Sequence, residues 1–131
     1  MTEHPDMLIT LTNGKQDRGT RATLAFAWGC SALAMGQRVS IYLTMDGTVW
    51  AARGAMKGVE LGGFDPLEEY LDQFVSLGGK ILVCAPCTEY YCAIKNQDTD
   101  SVSDSLIEDA QVTGLATIVS LIGENTKTIT L

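Results

Sequence analysis

Short apolar runs alternate along this chain with longer segments whose apolar residues recur every three or four positions. Residues 7–12, Met-Leu-Ile-Thr-Leu-Thr, form an apolar and β-branched run suited to a buried strand, and Asn13-Gly14 ends it with a turn signal. After the polar stretch 15–19, residues 20–35 place Leu24, Trp28, Ser31 and Met35 at helical spacing, with Gly36 positioned to stop the helix. The same segment carries a second, small face made of Ala22, Ala25, Gly29 and Ala32, suited to a close neighbour, whether a helix or the sheet. Residues 39–44 repeat the strand signature and Met45-Asp46-Gly47 closes it. Residues 48–56 suit a short helix, and Gly54, Gly58, Gly62 and Gly63 mark 56–65 as an irregular loop. Pro66 fits the first turn of a helix capped by Asp65, which runs through Leu67, Tyr70, Leu71 and Phe74 to Gly78-Gly79. Residues 81–84 are the third strand, and Pro86 opens a short helix that ends before the polar segment 96–104. Leu106-Ile107 and residues 128–131 are expected as fourth and fifth strands, around a helix over about 113–122.

Alternating strands and helices build a parallel sheet with helices on both faces, because each parallel connection needs a crossover long enough to hold a helix. The expected architecture is a single α/β/α domain over residues 1–131, with a mostly parallel sheet of about five strands. In such sheets ligands and chemistry gather beyond the carboxyl ends of the strands. Those ends carry Thr12-Asn13, Met45-Asp46 and Cys84-Ala85-Pro86-Cys87.

Composition narrows the function classes. Of the 131 residues 46% are apolar and 19% charged, the balance of a folded globular chain and not of a disordered one. The net charge of −7, with nine scattered Lys and Arg, argues against nucleic acid as a partner. The longest apolar stretch, 24–35, is broken by Gly29 and Ser31 and is too short to span a bilayer, so no membrane partner is expected. Glu3 and Asp6 stand where a secretory signal would be basic, which points to a cytoplasmic protein with reduced cysteines.

Three of the four cysteines, Cys84, Cys87 and Cys92, have Cys-x2-Cys-x4-Cys spacing in one strand–turn–helix unit. Thiolate is the reactive form, and a free thiol with a pKa near ~8.5 is only a few per cent ionised at neutral pH. A helix starting near Pro86 would aim its free N–H groups at Cys84 and Cys87, and ~0.3–2 kcal/mol of such stabilisation lowers a pKa by roughly 0.2–1.5 units. Glu89 opposes this if it turns toward the sulfur. Buried cysteine is also common as plain packing, the expectation for Cys30 in its alanine-rich helix and for Cys92 on a different helix face from Cys87. A fourth zinc ligand would have to be His4 or Cys30, neither at familiar spacing, so no metal is expected, and no cofactor motif is present.

Other residues carry weaker signals. Asp46, beside Gly47, suits a helix cap or a ligand contact, with the cap favoured. Asn13, Asp17 and Arg18 form a polar loop that would hold a small anion or a partner, or simply turn in solvent. Trp28, Trp50, Tyr90 and Tyr91 are expected in the core or at subunit contacts, and no Ser-His-Asp set or glycine-rich phosphate loop is present.

In this order the elements resemble the DsrE/DsrF-like family over nearly the whole chain. The matching stretches are Leu8-Ile9-Thr10-Leu11-Thr12 with the helix from Arg21 to Gly36, Val39-Ser40-Ile41-Tyr42-Leu43-Thr44-Met45-Asp46-Gly47, and Pro66-Leu67 onward to Gly79-Lys80-Ile81-Leu82-Val83-Cys84-Ala85-Pro86-Cys87. Leu106-Ile107-Glu108-Asp109-Ala110-Gln111-Val112-Thr113-Gly114 completes them. The resemblance implies a flanked parallel sheet, assembly into homotrimers or homohexamers, and a strand-end cysteine that carries sulfur as a persulfide between donor and acceptor proteins. That position is Cys84, and Cys87 matches a second cysteine found in small members. An Arg-Gly pair often follows the cysteines in the family, whereas Glu89-Tyr90-Tyr91-Cys92 stands here. Three readings stay open: a sulfur carrier working through Cys84, a dithiol redox protein using Cys84 and Cys87, and a non-catalytic oligomeric binding module.

Overall fold

A strand built from Val39, Ser40, Ile41, Tyr42 and Leu43 is apolar or aromatic at all but one small residue, and it occupies the centre of the sheet with all five positions buried. The computed structural model describes residues 4–91 and 106–131, and the side chains of these except at 89–91. The strands are β1 (Met7–Leu11), β2 (Val39–Leu43), β3 (Lys80–Cys84), β4 (Ala110–Thr113) and β5 (Lys127–Thr130), in the order β4-β3-β2-β1-β5. All four pairings are parallel, with Ile9 beside Ile41, Ile41 beside Ile81 and Cys84 beside Thr113.

The helices are α1 (Thr20–Ala34), α2 (Leu67–Ser76), α3 (Ala85–Tyr91) and α4 (Leu115–Leu121). Strand side chains alternate between the two faces. Ile9, Leu11, Ile41, Leu43, Ile81 and Val83 join one cluster with Phe26 of α1 and Leu67 and Phe74 of α2. The opposite face is smaller and of mixed chemistry: Leu8, Tyr42, Leu82 and Cys84 meet Cys87 of α3 and Ile118 of α4.

The larger cluster centres on Phe74, which is fully buried and meets Phe26 edge to face with ring centroids 5.6 Å apart. Glycine makes room for it, since a Cβ on Gly29 would stand 2.7 Å from the Phe74 ring. The small face of α1 therefore serves both α2 and the sheet, because the same Cβ would also meet Ile41. On the other side of α1 Leu24 and Trp28 turn outward, 37% and 42% exposed, as does Met35 just past its end at 80%. Trp50, by contrast, is fully buried, and its indole donates to the Asn13 carbonyl at 3.0 Å.

Four local expectations change. Leu106-Ile107 is not the fourth strand: Leu106 makes only an isolated antiparallel bridge to Ala52, and the Ile107 N–H donates to the Ala51 carbonyl. Those two apolar residues pin a connection onto the larger core, while the pairing beside β3 falls to Ala110–Thr113, an edge strand with a single large apolar residue, Val112. Asp65 does not cap α2; Pro66 occupies that position, and the Asp65 N–H donates to the Tyr70 hydroxyl. The segment after β2 is a 3-10 helix over Met45–Ala51 instead of a helix from 48. The helix expected over 113–122 starts two residues later, because Thr113 remains in β4.

Replacing Phe74 with Ala removes the ring that α1, α2 and the sheet share, and about 3–5 kcal/mol of stability should go with it, read as a lowered denaturation midpoint in urea.

Candidate strand-end cysteine site

Cys84 ends β3 on the same face as Leu82, and α3 begins at the next residue. The Thr88 hydroxyl donates to the Cys84 carbonyl at 2.7 Å, which fixes the first turn of α3 against the strand end. That turn carries Cys87 toward the end of β2. There the Met45 N–H donates to Cys87 Sγ at 3.3 Å, and the Thr44 hydroxyl lies 3.7 Å from the same sulfur. Met45 presents its amide from a left-handed backbone, φ 53°, which a non-glycine residue adopts only when its surroundings enforce it.

Tyr42 stands two residues before Thr44, so both side chains point to the cysteine face. It is 4% exposed, and its hydroxyl makes no hydrogen bond of ordinary geometry. It nevertheless lies close enough to Cys84 for each to alter the ionisation of the other. Burial pushes the Cys84 thiol up, but the Tyr42 hydroxyl, the Cys87 thiol, the Thr44 hydroxyl and the Cys87 backbone N–H outweigh it and bring it below its ordinary value. Tyr42 moves the other way, pushed up to about 12 by burial and then by the neighbouring Cys84 sulfur.

The expectation that the start of α3 activates Cys84 through its free N–H groups needs correction. Cys84 is 2% exposed and Cys87 8%, and of the polar groups around Cys84 only one is a backbone amide of α3. A seven-residue helix supplies little dipole, so the hydroxyl groups of Tyr42 in β2 and of Thr44 just after it take the larger part. A cavity of about 520 Å³ does exist, but its lining includes Arg38, Ser40, Lys80, Leu82 and Leu121 and neither cysteine.

The family model for DsrE/DsrF-like proteins matches residues 7–131. The chain belongs to the DsrE/DsrF-like family. That family is associated with sulfur relay. Among solved structures, the YchN protein of E. coli superposes with a TM-score of 0.69 at 13% identity, covering 100% of both chains. A conserved protein of unknown function from Bacteroides thetaiotaomicron, BT1422, gives 0.62 at 12% identity, covering 96% of this chain and 95% of its own. Both similarities establish the fold alone. No functionally curated protein matches significantly.

Around the cysteines of this DsrE/DsrF-like chain, the other sequence candidates take structural positions. The Asp46 carboxylate accepts from the Gln16 side-chain amide and caps no helix, linking the loops after β2 and β1. Gly47 packs on the exit of β1: its N–H donates to the Thr12 carbonyl, and a Cβ there would collide with the Leu11 carbonyl oxygen. Asn13 contributes its carbonyl to Trp50, while its side-chain amide nitrogen is buried without a partner. The Asp17 carboxylate accepts from the backbone N–H groups of Gly19, Thr20 and Arg21 at the start of α1. Cys30 is core, its thiol donating to the Tyr70 carbonyl at 3.3 Å and pushed up by burial. Cys92 lies outside the described residues. Sequence reasoning missed Tyr42, Thr44 and Met45 as neighbours of the sulfurs. The available signal was a tyrosine and a threonine two apart at the end of an otherwise aliphatic central strand.

Two outcomes follow. Unfolded tyrosine ionises near ~10, whereas Tyr42 keeps its proton to about 12. Its contribution is therefore complete below the unfolded value and is lost as pH rises through that window. Urea titrations from pH 9 to 12 should show a loss of about 1–3 kcal/mol that Tyr42→Phe lacks. Gly47→Ala should cost about 1–3 kcal/mol in the same measurement at neutral pH, since backbone must move to admit the methyl group.

Proposed function

We propose that this chain is a sulfur carrier in which Cys84 accepts sulfane sulfur from a donor and passes it to an acceptor. The observation that carries the reading is the polar enclosure of Cys84: a buried thiol whose hydroxyl, thiol and amide neighbours overcome the burial penalty and favour its ionised form. In the accepting step the Cys84 thiolate attacks the outer sulfur of a donor persulfide, R–S–SH. A new S–S bond forms, the donor S–S bond breaks, and the donor leaves as R–S⁻. Cys87 would serve release: its thiolate attacking Cys84 Sγ would expel HS⁻ and leave a Cys84–Cys87 disulfide, which needs an external dithiol to reset.

The fold, a single domain in this reading, would exchange sulfur with donor and acceptor proteins in the cytoplasm as a homotrimer or homohexamer. The exposed apolar residues Leu115 and Val119 of α4, and Ile122 just past its end, support self-association. Asn13, Asp46 and Gly47 then act by fixing the rim around the cysteines. A dithiol redox function is the second reading, favoured by the direct influence of the Cys87 thiol on Cys84.

Incubation with a persulfide donor followed by intact mass spectrometry should add the mass of one sulfur atom to the wild-type protein and none to Cys84→Ser. A wild-type protein that loses two hydrogens under mild oxidation and never gains sulfur is the dithiol protein instead.

A further inference from the structure

Tyr42 holds a polar atom that packing does not need. Its ring fills the small cluster with Leu8, Leu82, Cys84, Cys87 and Ile118, a task phenylalanine would perform equally well. Among the described residues the hydroxyl has no hydrogen bond of ordinary geometry, and a buried polar group held so loosely is destabilising and calls for an explanation. The groups around the two sulfurs overlap: the Met45 N–H is directed at Cys87 Sγ and the Thr44 hydroxyl bears on both sulfurs, while the largest favourable influence on Cys84 comes from Tyr42. Among the described residues the titratable groups bearing on Cys84 are Tyr42 from β2 and Cys87 from α3, and β4 brings Thr113 alongside.

We propose that Tyr42 is a positioning residue whose hydroxyl donates a hydrogen bond to the anionic sulfur on Cys84, first as thiolate and then as persulfide. The inference rests on the sulfur-carrier reading only for its second half. A thiol is a poor acceptor and a thiolate a good one, so a hydroxyl unsatisfied beside the neutral form becomes satisfied when charge develops. Because the phenol keeps its own proton to about 12, it remains a donor throughout the range in which a thiol titrates. The hydroxyl thus stores no charge and moves no proton; it waits for the anion.

The test is Tyr42→Phe, with the Cβ chemical shift of Cys84 followed by NMR across pH, a readout that does not require reagent to reach the buried sulfur. The midpoint should rise by about one unit, roughly tenfold less thiolate at neutral pH, while the melting temperature at neutral pH holds or increases because the deleted hydroxyl had no hydrogen bond of ordinary geometry. An unmoved midpoint overturns the proposal, and so does an unmoved midpoint with lowered melting temperature, which would make the hydroxyl structural. A raised midpoint in a protein that never gains sulfur from a persulfide donor keeps the thiolate role and removes the carrier reading. Normal sulfur gain with an unmoved midpoint does the reverse.

Discussion

The register between β2 and β3 decides what the sulfur of Cys84 meets. Tyr42 pairs with Leu82 and Leu43 with Val83, so the next position along sets Thr44 beside Cys84. A slip of one residue would turn Tyr42 and Thr44 into the hydrocarbon cluster and aim Ile41 and Leu43 at the cysteines. That slip is resisted from the other side of the sheet, where Ile41, Leu43, Ile81 and Val83 are almost wholly buried against α1 and α2. The larger core thus specifies the geometry of the smaller, polar one.

How the thiol is ionised differs in kind from the helix-dipole expectation. A helix terminus offers partial charges that water also reaches, and in a short helix the effect is small. A phenol and a threonine hydroxyl at the end of a buried strand offer directed donors in a region of lower dielectric, where each counts for more. The arrangement explains how Cys84 remains 2% exposed and still ionises below its ordinary value. Burial and activation are therefore not alternatives here, because the atoms that hide the sulfur are also those that favour its charge.

Much of the fold was legible from residue patterns. The alternation of apolar runs and helical periods gave β1, α1, β2, α2, β3 and the start of α3 nearly to the residue, because each strand is a short, mostly apolar run followed by an asparagine, glycine or proline turn signal. The fourth strand was misplaced because an edge strand needs few apolar residues, while Leu106-Ile107, richer in hydrocarbon, belongs to a connection. For the site, Cys84 and Cys87 followed from spacing. Tyr42 and Met45 did not, since their relation to the sulfurs depends on which face β2 turns toward α3 and on a positive φ that no local pattern announces.

The outermost pairing, β1 with β5, joins partners far apart in the chain: Thr12 gives both its N–H and its hydroxyl to the Leu131 carbonyl, 119 residues away. Closing so long a loop adds only modestly to the entropic cost, since that cost grows with the logarithm of length, but contacts of such separation are slow to find. Thr12 also receives the Gly47 N–H at its carbonyl, so the β2 side of the rim leans on the same residue. Assembly should accordingly run from the α1–α2 core outward, leaving this belt until late.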